Sequence, residues 1–120
     1  MTPSQAGFGT ARVSRPLRIV TTEHVITEYL NYFAERGEHF RRKAIENVHD
    51  MLTSASVTVT PHTREAFLAA LELYKARPDK GYSLTDCISM IAMRREGVTD
   101  ALTNDRHFEQ EGFRVLFREA

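Results

Sequence analysis

Three carboxylates, Glu28, Asp86 and Asp105, stand near points where an apolar or β-branched run hands over to a helical pattern. Their distance apart in the chain is no obstacle to their meeting. In open α/β sheets, ligands collect outside the carboxyl ends of the strands, where strands turn into helices. A carboxylate cluster without a cysteine set or a close histidine pair suits a hard cation, because Mg²⁺ and Mn²⁺ prefer oxygen ligands and keep several of their waters. Such an ion orients a phosphodiester, activates water and stabilises charge on the leaving oxygen, so the chemistry implied is phosphate-ester hydrolysis.

Each acid also has a purely structural reading. Ser83-Leu84-Thr85-Asp86 is a capping-box pattern in which Asp86 bonds back to the backbone of Ser83. Cap and ligand then compete for one carboxylate. Asp105, within Thr103-Asn104-Asp105, suits a turn or a cap. Glu28 lies about 40° around its helix from Tyr32, on the border of an apolar face. Taken singly, each acid is better explained by its structural reading, and only their joint placement favours a site.

The elements that must carry these residues follow from periodicity and punctuation. LRIVTT, residues 17–22, reads as a strand that passes directly into a helix capped by Thr22 and led by Glu23. Val25, Ile26, Tyr29, Leu30, Tyr32 and Phe33 share one face of that helix, which Gly37 stops. A second helix from Glu38 to about Thr53 places Phe40, Ala44, Ile45, Val48, Met51 and Leu52 on one face. SVTVTP, residues 56–61, alternates as a strand, and Phe67, Ala70, Leu71 and Tyr74 mark a third helix. Residues 83–97 form a fourth helix, apolar over much of its circumference, followed by a strand at ALT, a helical turn at RHFEQEG and a last strand at FRVLF. The order β-α-α-β-α-α-β-α-β predicts an α/β fold with a parallel sheet between layers of helix. Residues 1–16, with Pro3, Gly7, Gly9 and Pro16, read as an irregular lead-in, and 17–120 as one domain.

Composition narrows the remaining classes. The chain has 120 residues, 42% apolar and 27% charged, and its 16 basic and 16 acidic side chains cancel, so any nucleic-acid contact must be local. Cys87 is the only cysteine, which excludes an intramolecular disulfide and a cysteine-rich zinc site. No run approaches the roughly 18 apolar residues of a membrane span, and the N-terminus lacks the apolar stretch of a secretory signal, so a cytoplasmic location is expected. Arg41-Arg42-Lys43 and Arg94-Arg95 read as solvated faces, and His24 with Glu28 as an exposed pair. His39, His49, His62 and His107 have no metal-like spacing, and Asp100 is placed before the strand at ALT.

The segments VITEYLNYF, YSLTDCISM and ALTNDRHFEQEGFRVL together resemble the PIN-domain nucleases, in particular the VapC-type toxins of toxin–antitoxin pairs. The likeness runs from about Leu17 to Leu116 and is most specific in its last third, from the TD at a helix start to the TND that follows. It implies an α/β/α sandwich, a ribonuclease dependent on Mg²⁺ or Mn²⁺, and a site of four acids. Glu28, Asp86 and Asp105 match three of these, and Thr103 matches a small hydroxyl residue lining the site. The family also implies a homodimer and a cognate antitoxin. PIN domains begin with a strand of the type apolar-Asp-Thr/Ser that supplies the first aspartate; here the first aspartate is Asp50, within the second helix pattern. The expectation is therefore a PIN-like fold incomplete at its N-terminus and short of one ligand. The alternative function is a non-catalytic module of PIN origin that associates with itself or an antitoxin.

Overall fold

The computed structural model describes residues 18–101 and 106–115; the expected lead-in lies outside them. Strand β1 (Ile19–Thr22) runs straight into helix α1 (Glu23–Tyr32). Thr22 is the cap, as expected: its hydroxyl accepts the N–H of Val25 at 3.0 Å, and Glu23 offers a carboxylate to the positive end of the helix. Helix α2 (Glu38–Thr53), strand β2 (Val57–Thr60) and helix α3 (Arg64–Ala76) follow, the last capped by the Thr63 side chain. Helix α4 (Leu84–Arg95), strand β3 (Asp100–Ala101), helix α5 (Arg106–Gln110) and strand β4 (Arg114–Val115) complete the order anticipated from the sequence. Asp100 belongs to β3 itself rather than preceding it, and it holds the guanidinium of Arg114 through bonds of 3.1 and 2.8 Å.

All described strands pair in parallel. Ile19 to Thr22 of β1 register with Val57 to Thr60 of β2, while Asp100 and Ala101 of β3 pair with Arg114 and Val115 of β4. Among the described residues these are two separate pairs, where one sheet was expected. A cleft of about 400 Å³ has both pairs in its wall, with Ile19 and Thr21 from one, Asp100 and Ala101 from the other, and Met93 and Phe108 beside them.

Helix α4 runs antiparallel to β1. The side chain of Arg18, at the amino end of β1, bonds the carbonyl of Glu96 at 3.1 Å and pairs with its carboxylate at the carboxyl end of α4. His24, just beyond the carboxyl end of β1, meets Thr85 in the first turn of α4. The far end of α4 closes in a Schellman motif: Gly97 takes φ +71°, its N–H donates to the Arg94 carbonyl, and Val98 N–H donates to that of Met93 at 2.9 Å. Glycine is required there because a Cβ disfavours that dihedral.

The core gathers around α4. Cys87, Ile88, Met90 and Met93 pack with Ala70 and Leu73 of α3, Tyr82, Ala101 and Phe113, flanked by Leu84, Ile91, Val98 and Phe108. Cys87 behaves as a small apolar residue, and burial pushes its thiol pKa up. The apolar faces expected for α1 and α2 are covered only in part. Ile26, Ala44 and Val48 are buried, whereas Tyr32, Phe40, Ile45 and Leu52 are exposed. Periodicity marks which side chains share a face but does not say whether another element covers it.

Arg94 is exposed, as expected, and it also anchors the far end of the core. Its guanidinium donates to the backbone carbonyl of Glu111 at 2.7 Å and to the Glu111 carboxylate at 3.0 Å. Arg77 donates to both oxygens of that carboxylate at 2.9 Å, and the Tyr82 hydroxyl donates to it at 2.8 Å. Against the penalty of burial, bonds from Arg77, Tyr82 and Arg94 hold the Glu111 carboxyl down to about 2. Burial first, and then the Glu111 carboxylate, push the Tyr82 phenol up to about 12.

A carboxyl depressed from 4.5 to about 2 contributes stability that is fully present above pH 4.5 and is lost as pH falls toward 2. The contribution is on the order of 3 kcal/mol. Urea denaturation should therefore show stability declining across that acidic window. Glu111→Gln should lower stability by about 3 kcal/mol at neutral pH and flatten this part of the profile.

Candidate functional site

The first turn of α4 collects the chemistry-bearing residues. Ser83 caps it in a full capping box: its hydroxyl accepts the Asp86 N–H at 2.9 Å, and Asp86 Oδ2 accepts the Ser83 N–H at 3.0 Å. The same Oδ2 lies 3.2 Å from Nδ1 of His107 on α5. One residue earlier, the Thr85 hydroxyl donates to Glu28 Oε2 of α1 at 3.0 Å. His24 Nε2 lies 3.0 Å from that hydroxyl and 3.3 Å from Glu28 Oε2. The His24 ring stacks on His62, beyond the carboxyl end of β2, at 5.7 Å between centroids. The N–H of His62 donates to Glu23 at 2.8 Å, which holds that loop against α1.

Two of the three sequence-derived carboxylates are thus tied to consecutive residues of one helical turn, Glu28 through Thr85 and Asp86 directly. Asp105 and Thr103 lie outside the described residues. The competition between cap and ligand at Asp86 is resolved by its two oxygens. Oδ2 takes both the cap and His107, and Oδ1 has no partner among the described residues. Glu28 repeats the arrangement, with Oε2 engaged and Oε1 open among the described residues. The side chains of Glu28 and Asp86 are 56% and 18% exposed, so one is open to solvent and the other partly sheltered.

Among the described residues no group of three or more His, Cys, Asp or Glu comes together around a point that would hold a metal ion. Two open carboxylate oxygens nevertheless match a hard cation that keeps most of its waters, since Mg²⁺ is commonly bound through only one or two carboxylates. The donor set therefore fits oxygen-loving divalent ions. Three members of this arrangement were not assigned a site role from sequence: Thr85, His24 and His107. His24 and Glu28 do form the expected i,i+4 pair, but that pair faces α4. Its signal was the hydroxyl residue beside Asp86.

A model of the PIN domain family matches residues 10–113. The chain belongs to the PIN domain family. Among solved structures it is similar to the Mycobacterium tuberculosis toxin VapC20, described as cleaving the sarcin–ricin loop, with 26% identity and a TM-score of 0.66. That likeness covers 83% of this chain and 75% of the VapC20 chain. No curated protein sequence matches. The α/β PIN fold read from the sequence is therefore correct, with parallel strands and helices in the anticipated order.

Because Asp86 closes the capping box, removing its carboxylate costs stability. Asp86→Ala should destabilise the protein by about 1 kcal/mol, and Ser83→Ala by a similar amount. Asp86→Asn keeps an oxygen acceptor for the Ser83 N–H and should cost less. Urea midpoints of the three variants provide the check.

Proposed function

We propose that this PIN domain is a metal-dependent ribonuclease of VapC type that hydrolyses RNA phosphodiester bonds. The observation that carries the reading is the attachment of Glu28 and Asp86 to adjacent residues at the start of α4, each with one oxygen open among the described residues. Glu28, Asp86 and Asp105 would hold Mg²⁺ or Mn²⁺, with Thr103 lining the site. Asp105 precedes Arg106, the first residue of α5, in the sequence and lies outside the described residues. A bound divalent ion supplies Lewis-acid polarisation of the phosphoryl oxygen and activation of the attacking water.

The chain's own contribution is placement. The capping box sets the Asp86 backbone, His107 orients its carboxylate, and Thr85 with His24 orient that of Glu28. The likeness to a toxin that cleaves the sarcin–ricin loop supports RNA as the substrate class. Net charge is zero, so local groups such as the exposed Arg95 would meet the backbone phosphates. Among the described residues no helix is long and apolar enough to cross a membrane. An RNA substrate accords with a cytoplasmic protein.

A second reading, a PIN-derived module that binds itself or an antitoxin without cleaving RNA, draws on one observation. Tyr32 of α1 and Phe40, Ile45 and Leu52 of α2 are 44–60% exposed, apolar surface that a partner would cover. Homodimerisation and antitoxin binding are compatible with catalysis, so the decision rests on the metal.

Cleavage of an RNA oligonucleotide should require Mg²⁺ or Mn²⁺ and fall at least about 100-fold in Glu28→Gln and in Asp86→Asn, beyond the 10- to 100-fold typical of outer-sphere changes. Both variants should keep the wild-type circular dichroism. Metal-stimulated cleavage that survives both substitutions would refute the reading. The non-catalytic module predicts instead no cleavage by wild type and a melting temperature indifferent to Mn²⁺.

A further inference from the structure

We infer that Thr85 is a positioning residue for the divalent-metal site, its hydroxyl holding the Glu28 carboxylate of α1 against the first turn of α4. The inference rests on the proposed nuclease site and adds to it a residue that does not itself bind the ion. A threonine hydroxyl has one proton to give. The bond to Glu28 Oε2 at 3.0 Å uses it, because an ionised carboxylate has none to offer in return. At the 3.0 Å contact between Thr85 Oγ1 and His24 Nε2, the imidazole must then be the donor, which assigns its proton to Nε2. The same ring nitrogen lies 3.3 Å from Glu28 Oε2, an ion-pair distance. The Thr85 hydroxyl donates to Oε2 with His24 beside it, and Oε1 has no partner among the described residues.

The need for such a clamp follows from where Glu28 sits. Its side chain is 56% exposed, on a helix of which only Ile26 is buried, so packing does little to choose its rotamer. An unconstrained glutamate gives up as much as about 1.5–2 kcal/mol of rotamer entropy when it is ordered. Thr85 can supply that order because its own position is fixed. It is the second residue of α4, between the Ser83 cap and Asp86, and its β-branch restricts χ1. The residue that orients one proposed ligand is covalently joined to the other. Motion of α1 relative to α4 is thereby opposed at the point where it would separate the carboxylates.

The test uses the full chain and Mn²⁺ alone as probe, followed by the rise in melting temperature with ion concentration. Thr85→Val keeps volume and branching but removes the hydroxyl, and should raise the half-saturating Mn²⁺ concentration at least about 10-fold, the usual effect of losing an outer-sphere partner. Thr85→Ser keeps the hydroxyl and should stay within about 3-fold of wild type, below that range. RNA cleavage by the valine variant should recover at saturating Mn²⁺. Thr85→Ala gives the same comparison if valine prevents folding. Equal half-saturation in wild type and in the variants lacking the hydroxyl overturns the inference, as does a serine variant as weak as valine. A wild-type Mn²⁺ response abolished by Glu28→Gln but unchanged by Thr85→Val removes the positioning role and leaves the nuclease reading intact. Absence of any wild-type response removes both.

Discussion

Helix α4 is fixed at both ends, and the placement of everything else follows from that. At its start, the reciprocal bonds of Ser83 and Asp86 satisfy backbone N–H groups that have no partner within the helix. At its finish, the Schellman turn at Gly97 directs the chain into β3, while Arg94 reaches across to Glu111. Between these points Met90 and Cys87 are completely enclosed. A helix held in this way cannot slide along β1 without breaking a cap or an ion pair. The carboxyl edge of the β1–β2 pair therefore keeps a constant relation to the first turn of α4.

The far end shows what kind of polar group a small core tolerates. Glu111 is buried as a charge, but every direction from its carboxylate is answered: a bidentate guanidinium, a second guanidinium and a phenol. Desolvation is thus repaid by charge-assisted bonds rather than by removal of the charge. The Asp86 end is built differently. Each of its carboxylates is bonded on one oxygen only among the described residues, so polar capacity remains where the chain would meet a ligand. Full satisfaction at one end of α4 and partial satisfaction at the other separate a structural cluster from a candidate site.

Much of this was readable from the sequence. Strong local signals, such as Thr22 before Glu23 and Ser83 three residues before Asp86, placed the starts of α1 and α4 to within a residue, whereas α1 ends at Tyr32, short of the stop expected at Gly37. Glu28 and Asp86 were candidates because strand-to-helix junctions are where α/β folds present ligands. What escaped notice depends on contacts between distant segments. Nothing in the run RHFEQEG reveals that Glu111 will be buried, because its partners Arg77, Tyr82 and Arg94 are 17 to 34 residues away. Arg94 is exposed as expected, and only its reach to Glu111 was hidden for the same reason. Phe40, Ile45 and Leu52 lie on the face that periodicity marked, but periodicity does not say whether a neighbour covers it, and they are exposed.

That partial cover bears on how the site is held together. The buried cluster joins α3, α4 and the β3–β4 pair, whereas α1 contributes a single buried side chain and α2 two. Glu28 therefore projects from a lightly packed layer and Asp86 from a firmly packed one. Local stability follows burial, so α1 and α2 should open more readily than α4. Hydrophobic contact alone leaves the relative position of the two carboxylates loosely defined. The hydrogen bonds crossing from α1 to α4 at Thr85 are directional where the packing is not, and the geometry between Glu28 and Asp86 is set by them.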